Sequence, residues 1–173
     1  MVDMLWIKTL FRVFENYTYL MHCKDKAISG VLSYNYQCAM SGDAMAASEE
    51  LLMLVYRKQA LNRVMTDFIS SVNALPKRWR HVVKLRSVEK KLFFEIAEEL
   101  GCTIRNALYL YNRAMHAMRA SMTARGYSDE ILKELLADES IMEIYKSLME
   151  AESISACDPR DGIVAKQPVP QAQ

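Results

Sequence analysis

Apolar positions recur at helical steps along most of this chain. Leu5, Trp6, Leu10, Val13, Phe14, Tyr17 and Leu20 follow one another at three- and four-residue intervals, which predicts one amphipathic helix from Asp3 to His22. The stretch VLSYNYQCAMS between Gly30 and Gly42 is weakly patterned and reads as a helix end and a loop. Ser48, followed by Glu49 and Glu50, has the chemistry of an N-cap with first-turn acids. From there a long helix is expected to run to Leu75. Its positions 51, 54, 58, 61, 65, 68, 72 and 75 are Leu, Leu, Lys, Leu, Met, Phe, Val and Leu, broken only by Lys58. Such a seam serves either a coiled-coil homodimer or a hairpin within the chain, since the first helix needs a partner for its own apolar face.

Pro76 suits the first turn of a further helix, PKRWRHVVKLRSV, whose apolar side is Trp79, Val82, Val83 and Leu85. A short helix over 92–100 and a longer one over 103–123 follow, with Gly126 as the C-terminal stop. Ser128 with Asp129 and Glu130 starts another helix, and Ser140 with Glu143 forms a capping box for the next. These last helices are expected to bury Ile131, Leu135, Met142, Ile144, Tyr145 and Leu148. After about Ser153 the pattern dissolves into a polar tail expected to be disordered. The fold class is therefore all-α. Residues 1–75 form a hairpin or oligomerisation region, 76–126 a central helical domain, 127–152 acidic helices and 153–173 the tail.

Five glycines and four prolines in 173 residues are few, which agrees with a helical chain. The longest apolar run, Leu51–Tyr56, is six residues, far short of a membrane span, so no membrane partner is expected. The opening MVDMLWIKTLF carries an acid at position 3 and no small-residue cleavage site, which predicts a cytoplasmic protein. Cysteines at 23, 38, 102 and 157 form no CxxC pair, and His22 and Cys23 would point about 100° apart on a helix. No metal and no cofactor are expected. Phosphate-loop, nucleophile-elbow and zincin motifs are missing, so there is no catalytic candidate and no enzyme is expected. Glu95, Glu98 and Glu99 read as a solvated helix face, and His81 and His116 as surface residues.

Charge changes the picture. The whole chain has a net charge of +1, yet residues 76–125 hold eleven basic and four acidic side chains, while 126–173 hold four basic and ten acidic. A basic block of this size is the footprint of a phosphate-binding face. It coincides with FFEIAEELGCTIRNALYLYNRA, a short helix, a glycine turn and a longer helix, the order of a helix-turn-helix. Ala97 stands where the two helices must cross closely. Gly101 supplies the residue tolerant of positive φ, Cys102 the apolar plug of the turn, and Thr103 the N-cap. Ala107, Tyr111, Ala114 and Met118 then face inward at helical steps.

The segment from Leu75 to Ala120 resembles region 4, the promoter-reading domain of sigma-70 family factors. Leu75–Pro76, Glu95–Gly101, Thr103 and Arg113–Ala114 carry the likeness. The long helix ahead of it is similar to that of short sigma-like regulators carried by prophages and conjugative elements. The resemblance implies a DNA-binding transcription regulator acting on promoters together with RNA polymerase. Lys84, Arg86, Lys90 and Lys91 would neutralise phosphates. Thr103, Arg105, Asn106, Tyr109, Asn112 and Arg113 would line the reading face, with Leu108 against thymine methyls. The departure is aliphatic: Ile104, Leu108 and Leu110 stand where the family presents polar and basic groups. They favour an alternative, a protein-interaction module that uses the same scaffold to bind polymerase, a sigma factor or itself. The acidic segment 129–152 either folds across the basic block and masks it, or covers the back of the domain through Leu135, Tyr145 and Leu148.

Overall fold

The computed structural model describes residues 1–38 and 44–157. Among these the chain is all-α, with eight α-helices and no strand. They are α1 (Met4–Glu15), α2 (Tyr17–Cys38), α3 (Ala44–Asn73), α4 (Lys77–Val83), α5 (Phe93–Glu99), α6 (Ile104–Ala124), α7 (Asp129–Leu135) and α8 (Glu139–Cys157). A π turn, Lys84–Val88, continues α4.

The expected single helix over 3–22 is two. Asp3 caps α1, and the helix ends at Asn16, where the backbone leaves the helical region at φ −102°, ψ 7°. The Asn16 side chain donates to the Arg12 carbonyl at 3.0 Å, while its own N–H bonds the carbonyls of Arg12 and Val13. A short amide competes with the backbone ladder in this way, so the chain turns without Pro or Gly. The second helix then runs through Gly30 to Cys38, where a helix end and loop are expected. Residues 39–41 of that expected loop lie, with 42 and 43, outside the described residues.

Helix α3 begins at Ala44, ahead of Ser48. Its seam is spent inside the chain. Leu61, Met65, Phe68 and Leu75 are buried in one core with Trp6, Ile7 and Leu10 of α1, and Phe11 meets Phe68 edge-on at 4.9 Å. Lys58, the seam's odd residue, pairs with Asp25 of α2. Tyr17 donates to the Asn62 side chain at 2.8 Å along the same hairpin.

The acidic helices belong to this core. Leu132, Leu136 and Ile141 are fully buried in it, and Tyr145 lies on Trp6 with ring centroids 4.6 Å apart. They cover the outer side of α1, so of the two roles expected for the segment the packing is that of core. Ile131, expected inside, is exposed, because α7 turns Leu132 inward instead. Helix α8 starts one residue before Ser140. Asp138 accepts from the Ser140 N–H at 3.2 Å and pairs at 2.6 Å with Lys24, a buried lysine of α2. Five residues of the expected tail, 153–157, continue α8, and 158–173 lie outside the described residues.

Asp67 of α3 fixes the junction after α6. It accepts from the Tyr127 phenol at 2.7 Å and from Arg125 at 2.8 Å. Burial, then the neighbouring carboxylate, push the Tyr127 hydroxyl up to about 12, which keeps it a donor.

Candidate nucleic-acid interface

A second, smaller core holds α5 against α6. Val82, Leu85, Ile96, Ala97 and Ala107 are buried together, with Phe93, Leu100, Cys102 and Leu110 packed around them. Two alanines, one from each helix, lie in this contact, and their size lets the helix axes approach. Between them the chain turns at Gly101, whose φ is +58°. The turn is closed by Cys102 N–H to the Ala97 carbonyl at 2.9 Å and Gly101 N–H to the Glu98 carbonyl at 3.2 Å. Thr103 then accepts the Asn106 N–H at 3.2 Å, starting α6. At the other end of α5, the Glu95 carboxylate accepts the Leu92 N–H at 2.6 Å. A short helix, a glycine turn and a longer, capped helix thus follow one another in the order the spacing predicts.

The outer face of α6 carries Arg105, Asn106, Leu108, Tyr109, Asn112 and Arg113, all exposed. Ile104 is 55% exposed, Leu108 43% and Tyr109 54%. Leu110, grouped with Ile104 and Leu108 at the level of sequence, instead packs half-buried on the small core. The Arg113 guanidinium lies 5.5 Å from the Tyr109 ring centre and 6.0 Å from that of Trp79 in α4. This contact stiffens the arginine and joins α4 to the exposed face.

The four cations assigned to phosphates divide into two groups. Lys84 and Lys91 meet at Glu89, each 3.3 Å away, and Lys91 also reaches Glu99 at 2.6 Å. Hydrogen bonds from Lys84 and then Lys91 hold the Glu89 carboxyl below its usual range, and the Lys91 bond does the same to Glu99. Lys91 is raised, chiefly by Glu99. Arg86 and Lys90 are held differently, and among the described residues only Lys90 of the two has a partner on α1. Arg86 donates to the Lys91 carbonyl at 3.0 Å and lies 4.9 Å over Phe93, while Lys90 pairs with Glu15 and donates to the Ser87 carbonyl. Lys90 stands at φ +59°, the one non-glycine residue in the left-handed region among those described.

Sequence reasoning passed over Lys77 and Arg78. Both are exposed in the first turn of α4, beside Trp79, and neither has an ion pair among the described residues. Arg105 is likewise exposed and without an ion pair there. The signal was legible in PKRWR, where two cations flank the turn before an aromatic residue. No group of three metal-ligating side chains lies together, and no helix is long and apolar enough to cross a membrane, among the described residues. The chain matches no protein-family model, and comparisons with curated proteins and with solved structures give no match.

Proposed function

We infer that this protein binds duplex DNA through α5 and α6 and regulates transcription at promoters together with RNA polymerase. The observation that carries this reading is the exposed polar face of α6, held out by a capped and glycine-turned helix pair. Arg105 and Asn106 sit in its first turn, where a recognition helix meets base edges, and Asn112 and Arg113 follow two turns later. Arg suits guanine and Asn suits adenine, and Leu108 fits a thymine methyl. Lys77 and Arg78 add unpaired charge beside Trp79, next to Arg113. Lys84 and Lys91, tied to Glu89 and Glu99, give up weak surface pairs to reach a phosphate. Selection from a pool of random duplexes tests the reading. An enriched site whose binding falls with Arg105→Ala by about 1–3 kcal/mol, and weakens steeply with salt, is the expected result. No enriched site removes base reading, and a flat salt response removes DNA binding.

The exposure of Ile104 and Leu108 favours a second reading, in which the same face docks on a protein: polymerase, a sigma factor or a second copy of the chain. Leu108→Arg separates the two. It spares or strengthens a DNA contact and breaks an apolar interface by burying an unpaired charge. A homodimer also fits DNA reading, since two recognition helices lengthen the site. Because α3 spends its seam internally, dimerisation would fall to Leu52, Met53 and Tyr56, exposed on the first half of α3. Sedimentation across a concentration range decides this, and a concentration-independent monomer ends it.

A further inference from the structure

We propose that the cleft where α1, the π turn, α6 and α8 meet is a binding site for a small phosphorylated ligand, separate from the outer face of α6. The cleft has a volume of about 290 Å³, at the small end for ligand sites. Four cations line it: Lys8 and Arg12, one turn apart on α1, and Arg86 and Lys90, the same interval apart across the π turn. Phe11 and Tyr111 supply apolar wall. Two arms of positive charge facing each other over an aromatic wall suit a phosphate monoester with a flat or apolar body, such as a mononucleotide.

The charges in the cleft are held by weak partners. Lys8 pairs with Glu152, and Arg12 and Lys90 share Glu15. The three cations are 40–48% exposed, Glu152 46% and Glu15 23%, so each pair is a partly solvated contact that a dianionic phosphate displaces. With both glutamates counted, the four cations leave two positive charges uncompensated, which a phosphate dianion matches.

The backbone supports a site. Three unusual features adjoin one another here: the π turn Lys84–Val88, the left-handed Lys90, and the closing bond from Lys91 N–H to the Leu85 carbonyl at 3.0 Å. Both π segments and left-handed non-glycine residues concentrate where a side chain must be aimed. Lys90 takes the position in which glycine would be free of strain, and it lines the cleft with its amine on Glu15 and the Ser87 carbonyl.

The ligand is not the duplex. Tyr111 lies two residues beyond Tyr109, which places it about 160° away around α6. A duplex on the Tyr109 side therefore leaves the Tyr111 side facing the rest of the protein.

Titration calorimetry of the full chain with adenosine and guanosine monophosphates and with inorganic phosphate tests the proposal. A saturable one-to-one isotherm for at least one of these is expected. Arg12→Ala and Lys90→Gly should weaken it at least tenfold, and Lys77→Ala should leave it unchanged. Lys90→Gly relieves the left-handed strain as it removes the amine, so loss of binding with an undiminished melting temperature separates the site from the fold. Glu15→Gln should tighten binding several-fold, a gain that a damaged fold does not give. Excess duplex should leave the isotherm in place. Absence of saturable binding for all three probes, equal weakening by Lys77→Ala, or displacement of the nucleotide by duplex each overturns the proposal.

Discussion

The two halves of α6 share one helix and have opposite surroundings. In its second half Ala114, Met115, Met118 and Met122 are all buried in the large core with α1 and α3. In its first half only Ala107 is fully buried, and Ile104, Arg105, Asn106, Leu108 and Tyr109 are open to solvent. Three methionines and an alanine anchor the helix while the other end carries the polar groups. The difference teaches how a small protein holds an exposed helix face rigid: the exposed turns are continuous with turns that cannot move without opening the core. The small core under α5 then has only to fix the angle of approach.

Breaking the anchored half should have the largest effect. Met118→Ala is expected to cost about 2–5 kcal/mol in urea unfolding, because it leaves a cavity beside Met115 and Met122. The loss should appear in the single transition of the whole chain. A cost near zero would mean that the large core can collapse around α6 and does not fix it.

The turn comes next. A Cβ at Gly101 meets nothing within 4 Å, so Gly101→Ala is opposed by backbone strain alone. At φ +58° that amounts to about 1–2 kcal/mol. Faster amide exchange confined to α5 and the first turns of α6 is the expected signature. Asn at this position should recover part of the loss, since Asn tolerates the left-handed region.

Thr103→Ala is smaller, about 1 kcal/mol, and should fray the first turn of α6 at Arg105 and Asn106. DNA affinity should fall with it while the buried half of the helix keeps its exchange protection.

The smallest effect concerns the charged rim. Glu99 is lowered by its bond from Lys91, so that contact contributes fully above the ordinary carboxylate range and is lost as the pH falls through the lowered value. Lys91→Met should return Glu99 toward its ordinary value near 4.5 in a carboxyl titration followed by NMR. An unmoved Glu99 would mean that the pair is absent in solution.

Local rules made the exposed half of α6 legible and tertiary rules hid its setting. Gly101, Thr103 and Ala97 each announce a backbone requirement within a few residues, and the turn forms as expected. The periodicity of 51–75 marked the inward side, with Leu61, Met65, Phe68 and Leu75 buried, but did not say whose core they fill, because a seam looks alike from within a chain and between chains. Asn16 breaks a helix without Pro or Gly, through a side-chain bond that competes with the ladder, and the spacing ran past it. The cations of 84–91 were visible as charge. Their partners Glu15, Glu89 and Glu99 come from folding, and Glu15 lies 75 residues from Lys90. Leu110 looked like its neighbours Leu108 and Ile104 until packing turned it under the helix.

The account rests on the first half of α6 being the DNA-contacting surface while the second half stays fixed. Amide chemical shifts recorded during titration with an enriched duplex test this most directly. Changes concentrated on Ile104–Arg113 and on Lys77–Trp79, with Met115–Met122 unmoved, are the predicted result. Changes centred on α2 and the first half of α3, or a duplex that leaves Ile104–Arg113 unshifted, would contradict it.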